Sequence, residues 1–159
     1  MGSSAHRAAT SVCAAVGCLV LAAPPVLASD SISRDDVEGT PHDDVLRGTP
    51  RDDRLWAGDG YNRLFGLAGA DRLSGGRFRD DEFAASGADL LRGRRGEDLL
   101  VPGRGADAVL AGPGRDELRL GADGRVDRVN CGTGRDVVRY SGRDRSDRLV
   151  DCERVVRAR

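Results

Sequence analysis

The sequence predicts an all-β protein, a slender two-sided solenoid of stacked parallel strands. Three observations point there. A nine-residue beat runs without insertion from Gly39 to Arg119, and all 15 glycines of that stretch fall at unit positions one, two or four. An Asp recurs at position six with an apolar residue two places later. Phe, Trp and Tyr contribute only six of the 159 residues, too few for a thick aromatic core.

The amino-terminal segment reads as an export signal. Residues 1–7 carry one Arg and no acid, Ala8–Ala23 is almost wholly apolar or small, and Pro24–Pro25 follows. Small residues at Val26 and Ala28 suit cleavage after Ala28. The rivals are an uncleaved anchor, for which the run is short against about 20 apolar residues, and lipid attachment at Cys18, whose preceding Ala15-Val16-Gly17 lacks the usual Leu. The expected organisation is a signal over 1–28, a lead-in over 29–38, nine repeats over 39–119, and irregular repeats with a cap over 120–159. Loss of Arg7 with the signal leaves 24 Arg against 26 acids in a protein placed outside the cell. All 25 basic residues are Arg. Without Lys there is neither Schiff-base chemistry nor a P-loop lysine. The near-balance of charge along the chain argues against a single basic patch for nucleic acid.

The nine units are GTPHDDVLR, GTPRDDRLW, AGDGYNRLF, GLAGADRLS, GGRFRDDEF, AASGADLLR, GRRGEDLLV, PGRGADAVL and AGPGRDELR. Position six holds Asp44, Asp53, Asn62, Asp71, Asp80, Asp89, Asp98, Asp107 and Asp116. Position eight holds Leu46, Leu55, Leu64, Leu73, Glu82, Leu91, Leu100, Val109 and Leu118. Glycine permits the positive φ of a tight turn. The last three residues of a unit then form a short strand whose middle side chain points inward. Two units complete a coil of 18 residues, and stacked coils about 4.8 Å apart bury the leucines that no unit could bury alone.

These units resemble the glycine-rich nonapeptide G-G-x-G-x-D-x-U-x of RTX, or hemolysin-type, calcium-binding proteins; GLAGADRLS, GRRGEDLLV and PGRGADAVL come closest. The resemblance covers 39–119 well and 123–153 loosely. It implies a parallel β-roll with calcium ions in rows between stacked turns, held by turn carbonyls and by the sixth-position Asp of turns one coil apart. Chemistry agrees: calcium takes six to eight oxygens, and a column of like charges at strand spacing repels unless cations lie between. The plainer reading has each Asp bonding the amides of its own turn.

Alternate units share a side, giving two rows. Asp53, Asp71, Asp89 and Asp107 form the more regular one, favoured for calcium. Asp44, Asn62, Asp80, Asp98 and Asp116 form the other, where Asn62 lacks the charge and Phe78 replaces a position-four Gly between Arg77 and Arg79. Glu82 stands where an apolar residue belongs. A bulge turning Phe83 inward is the expected escape, with a salt bridge to a nearby Arg as the alternative. If Phe83 stays outside, Phe65, Phe83 and Val101 stack along one flank.

Beyond Arg119 the Asp-x-apolar signature recurs at Asp127, Asp136 and Asp147 with looser steps. Cys131 and Cys152 follow Asp127 and Asp147 by four and five residues, so they should meet on neighbouring coils as a disulfide that caps the solenoid. With His42 they offer too few ligands for zinc. His42 lies in a repeat turn and no Ser has a His at meaningful spacing, so a hydrolase triad finds no support. The amino-terminal signal and the cysteines also set the chain apart from RTX toxins and proteases. The reading is thus a secreted, non-catalytic calcium-binding module that orders after export. Its partners are calcium ions and an unidentified cell-surface or protein ligand, with no membrane contact after cleavage. Its rival is a metal-independent structural or adhesion repeat.

Overall fold

The computed structural model describes residues 36–142 and 146–157; the expected signal segment lies outside them. Fourteen strands form two parallel sheets of seven. One sheet runs β1 (Asp36–Glu38), β3 (Arg54–Trp56), β5 (Arg72–Ser74), β7 (Leu90–Arg92), β9 (Ala108–Gly114), β11 (Arg128–Gly134) and β13 (Arg148–Val150). The other runs β2 (Val45–Arg47), β4 (Arg63–Ala68), β6 (Asp81–Ser86), β8 (Leu99–Arg104), β10 (Glu117–Leu120), β12 (Val137–Tyr140) and β14 (Arg154–Arg157). Each strand pairs with the strand one coil away, so the chain alternates between sheets and winds a two-sided solenoid.

Side chains at positions six, eight and one point inward. Position eight supplies the core column, with Leu55, Leu64, Leu73, Leu91, Leu100, Val109 and Leu118 at most 1% exposed. Position one must be small or compact, and Ala57, Ala84 and Ala111 are fully buried there. Position four holds Gly in six of the nine units, and two reasons for it are visible at Gly87. Its φ is 148°, and the carbonyl oxygen of Gly69 occupies the place a Cβ would take.

Several strands are longer than the three residues expected. β4, β6 and β8 have six each, because coils keep their register around the bend: Leu67 pairs with Ala85 and Ala85 with Gly103. Leu67 and Ala85 accept positive φ there, 86° and 80°, an arrangement an L-residue adopts only when its surroundings fix it.

Glu82 corrects the expectation of a bulge. β6 stays in register, with Leu64, Glu82 and Leu100 facing one another, and Glu82 is fully buried. Phe83 remains outward, its ring stacked on Phe65 at 5.3 Å, and it pairs with Val101. A one-residue slip would reverse every side chain of the strand and pull Asp80 out of its bonds to both neighbouring coils. The alternative salt bridge is also absent among the described residues. Glu82 Oε1 instead accepts the Gly75 N–H at 2.8 Å, and Oε2 has no partner. Burial pushes this carboxyl up to about 8, ahead of the opposing effect of the Gly75 amide, so at neutral pH it is mostly protonated.

After β9 the step lengthens from 18 to 20 residues, until the last, Val138 to Val155, shortens to 17; Val109 still meets Val129 and Val129 meets Leu149. Cys131 and Cys152 form the expected disulfide, with Cα atoms 5.2 Å apart and a sequence separation of 21. Cys131 is fully buried, so the bond ties the last coil to the core. Replacing both cysteines by Ser should lower stability by about 3 kcal/mol. Chemical denaturation of the oxidised protein and the double variant measures it, and the loss should concentrate in β13 and β14.

Candidate metal sites along two aspartate ladders

The sixth-position Asp side chains form two continuous ladders through the interior. In the first, the Asp53 N–H donates to Asp71 Oδ1 at 2.8 Å, Asp71 to Asp89 at 2.8 Å, and Asp89 to Asp107 at 2.9 Å. It continues beyond the regular repeats from Asp107 to Asp127 and from Asp127 to Asp147, each at 2.9 Å. In the second, the Asp44 N–H donates to Asn62 Oδ1, Asn62 to Asp80, Asp80 to Asp98, Asp98 to Asp116 and Asp116 to Asp136, all at 2.8–2.9 Å. The sequence pattern missed its last rung: the Asp136 N–H donates to Glu153 Oε2 at 2.9 Å. A Glu 17 residues away breaks both the spacing and the residue type.

From Asn62 and Asp71 onward each ladder side chain thereby has one oxygen engaged by a neighbouring coil; the second oxygens divide the rungs. At Asp44 the Thr40 N–H and hydroxyl reach Oδ2 at 2.6 and 3.0 Å. At Asp53 the Thr49 N–H and hydroxyl do the same at 2.5 and 3.1 Å. Asp80 Oδ2 accepts the Gly76 N–H at 2.6 Å. The Asn62 amide donates to Gly60 O at 3.0 Å and to Asp80 Oδ1 at 2.9 Å. The plainer turn-bonding reading therefore describes Asp44, Asp53 and Asp80. The Thr in GTPHDD and GTPRDD was the sequence signal for it, as a side-chain turn motif.

Farther along, the second oxygens are buried and have no hydrogen-bond partner: Asp71, Asp89, Asp107 and Asp147 in the first ladder, and Asp98, Asp116 and Asp136 in the second. Rows expected to differ thus share the same feature. At two of these rungs the oxygen lies against a first-position Gly beside a backbone carbonyl. A Cβ on Gly93 would meet Asp98 Oδ2 at 2.5 Å and Ala111 O at 2.7 Å. One on Gly66 would overlap Asp71 Oδ2 and approach Ala84 O to 3.0 Å. Carboxylate and carbonyl oxygens gathered without a competing donor suit a hard, oxygen-seeking cation. No three His, Cys, Asp or Glu side chains converge on one point among the described residues, so a bound ion would draw part of its shell from turn carbonyls. On this test the residues fit calcium.

Burial dominates the electrostatics. It raises the carboxyls of Asp71 and Asp116 to about 6, Asp89 and Asp127 to about 7, and Asp98 to about 9. The donated amide of the preceding rung works against it, and like charge on neighbouring rungs adds to it. Asp80, Asp107 and Asp136 shift the same way for the same first reason. At the exposed end, the Asp136 amide holds Glu153 below the usual range.

The signature of the RTX calcium-binding nonapeptide repeat, in four copies, matches residues 38–73, 47–81 and 83–118, half of the chain. The chain belongs to the RTX calcium-binding repeat family. No curated protein sequence matches it significantly. Family membership and the all-strand solenoid agree with the expected β-roll, and RTX repeats are calcium-binding modules. The ladders identify where this RTX chain departs from the repeat: at Asn62, at Glu82 and at the two Thr-closed turns.

These shifts fix a pH dependence for the metal-free protein. Each raised Asp ionises more readily unfolded than folded, so its contribution favours folding at low pH and is lost as pH rises through the folded value. Stability without metal should fall between about pH 5 and pH 9, while calcium uptake rises over the same interval as protons leave the ladder. Urea denaturation in chelator across that range checks the sign; a rise toward pH 9 would contradict it.

Proposed function

We propose that this protein binds several calcium ions along both ladders, and that binding completes its folding after export to the extracellular space. The observation that carries the reading is the set of buried, donor-free carboxylate oxygens stacked coil upon coil in a repeat of calcium-binding type. Asp71, Asp89 and Asp107 of the first ladder and Asp98 and Asp116 of the second would supply carboxylate oxygens, with turn carbonyls completing the shell. A bound calcium supplies fixed positive charge that lets neighbouring rungs ionise together. Asp44, Asp53 and Asp80 belong to the ladders, but their second oxygens already accept N–H donors, so they rank below the others as ligands. The module is non-catalytic in this reading. Its carboxylates recur with the coils and serve a repeated structural need rather than one reacting centre. Extracellular calcium is abundant enough to fill even weak sites and to stabilise the bound form by mass action.

A metal-independent scaffold is the second reading, favoured by the closed turns at Thr40, Thr49 and Asn62. The two separate on calcium titration calorimetry. Asp89→Ala should remove more bound calcium than Asp80→Ala, because Asp89 retains a buried, unpartnered oxygen while that of Asp80 already accepts the Gly76 N–H. Asn62→Asp should add binding by replacing an amide donor with a carboxylate. Absence of calcium uptake in the unaltered protein favours the scaffold. A larger loss from Asp80→Ala would instead reject the assignment of ligands.

A further inference from the structure

The balance of charge along the sequence does not carry over to the surface. Among the described residues ten acids are buried, nine of them ladder Asp and the tenth Glu82. Every described arginine is exposed. A nearly neutral chain therefore folds with a basic exterior, and the excess is not evenly spread.

On the sheet of odd-numbered strands, the acids Asp36 and Glu38 lie on β1, and β3 through β13 contain no acidic residue. Those strands present Arg54, Arg72, Arg92, Arg128 and Arg148, all exposed. Arg54 lies in register with Arg72 on the neighbouring strand, and Arg128 with Arg148. Among the described residues Arg54 alone of the five has an ionic partner, Asp36, at a loose 3.9 Å. Like charges in adjacent register repel, so the face holds an electrostatic cost that a bound polyanion would relieve. The opposite sheet is different: Arg119 and Arg139 share Glu117 at 2.9 and 3.2 Å.

We propose that this face is a docking surface for an extended acidic polysaccharide lying across the strands. Its carboxylate or sulfate groups would meet guanidinium groups at steps of about one strand spacing, 4.8 Å, within each arginine pair. Guanidinium binds such groups through paired N–H donors. The face offers one large aromatic ring, Trp56. That ring is 52% exposed, with the Arg94 guanidinium 5.7 Å above it and Arg94 Nε donating to Ser74 Oγ at 2.8 Å. A single ring suits a sugar packed beside cations. Single-stranded nucleic acid would call for a series of stacking platforms. This surface is independent of the calcium reading, since no ladder residue forms it.

The test is binding of a heparin decasaccharide to the full chain in calcium and 0.1 M salt, followed by calorimetry, with calcium uptake measured separately. Arg72→Ser with Arg128→Ser should weaken binding about tenfold, while Arg119→Ser with Arg139→Ser leaves it within about twofold. Removing one arginine from each in-register pair relieves repulsion, so the face variant should melt no lower than the unaltered protein. Arg72→Gln with Arg128→Gln repeats the test with longer side chains. The proposal fails if the unaltered protein does not bind, or if both double variants weaken equally. It also fails if oligothymidylate of matched charge binds as tightly, which would assign the face to nucleic acid.

Discussion

A backbone N–H reaching into the carboxylate of the next coil is the constraint on which the rest of the structure depends. In each ladder the donor and acceptor belong to corresponding residues 18 to 20 positions apart, the closing Asp136–Glu153 rung excepted, so one bond fixes the register between coils. Once the Asp is held inward, the strand's alternation sends position eight into the core and position nine outside. The ladder also explains why a misplaced residue leaves the fold intact. Glu82 is buried and mostly protonated because moving it would detach Asp80 from Asn62 and Asp98 together.

The same arrangement creates the chemical demand that the function answers. A carboxylate accepting one amide keeps a second oxygen, and along most of both ladders burial leaves it without a donor. At the start of the solenoid the chain closes that oxygen with its own Thr and amide groups. On the proposed calcium reading, internal closure at one end and unpartnered oxygens farther along give a metal-independent start on which later coils stack. Burial of so many acids has an outward consequence as well. The negative charge is sequestered, and arginine dominates what a partner would meet.

Much of this was legible in the sequence because it repeats. The Asp-x-Leu phase gave coil length, inward positions and the two rows, and the same signature carried the ladders through Asp127, Asp136 and Asp147. The cysteines, falling soon after Asp127 and Asp147, revealed their pairing. What escaped was set by contacts without a period. Glu153 closes its ladder from an irregular distance, the side chain being long enough to reach Asp136. Thr40 and Thr49 look like ordinary turn residues until their hydroxyls are seen on the carboxylates. The arginine face was hidden because acids near it in sequence turn into the interior.

Amide hydrogen exchange at pH 8 tests the central claim most directly, read at Asp53, Asp71, Asp80, Asp89 and Asp98, the donors between successive rungs. With calcium present these amides should be strongly protected. In chelator protection should collapse at Asp71, Asp89 and Asp98, while Asp53, beside its Thr-closed turn, loses less. Equal protection of all of them with and without calcium would contradict the account, since the ladder would then tolerate its buried carboxylates unaided.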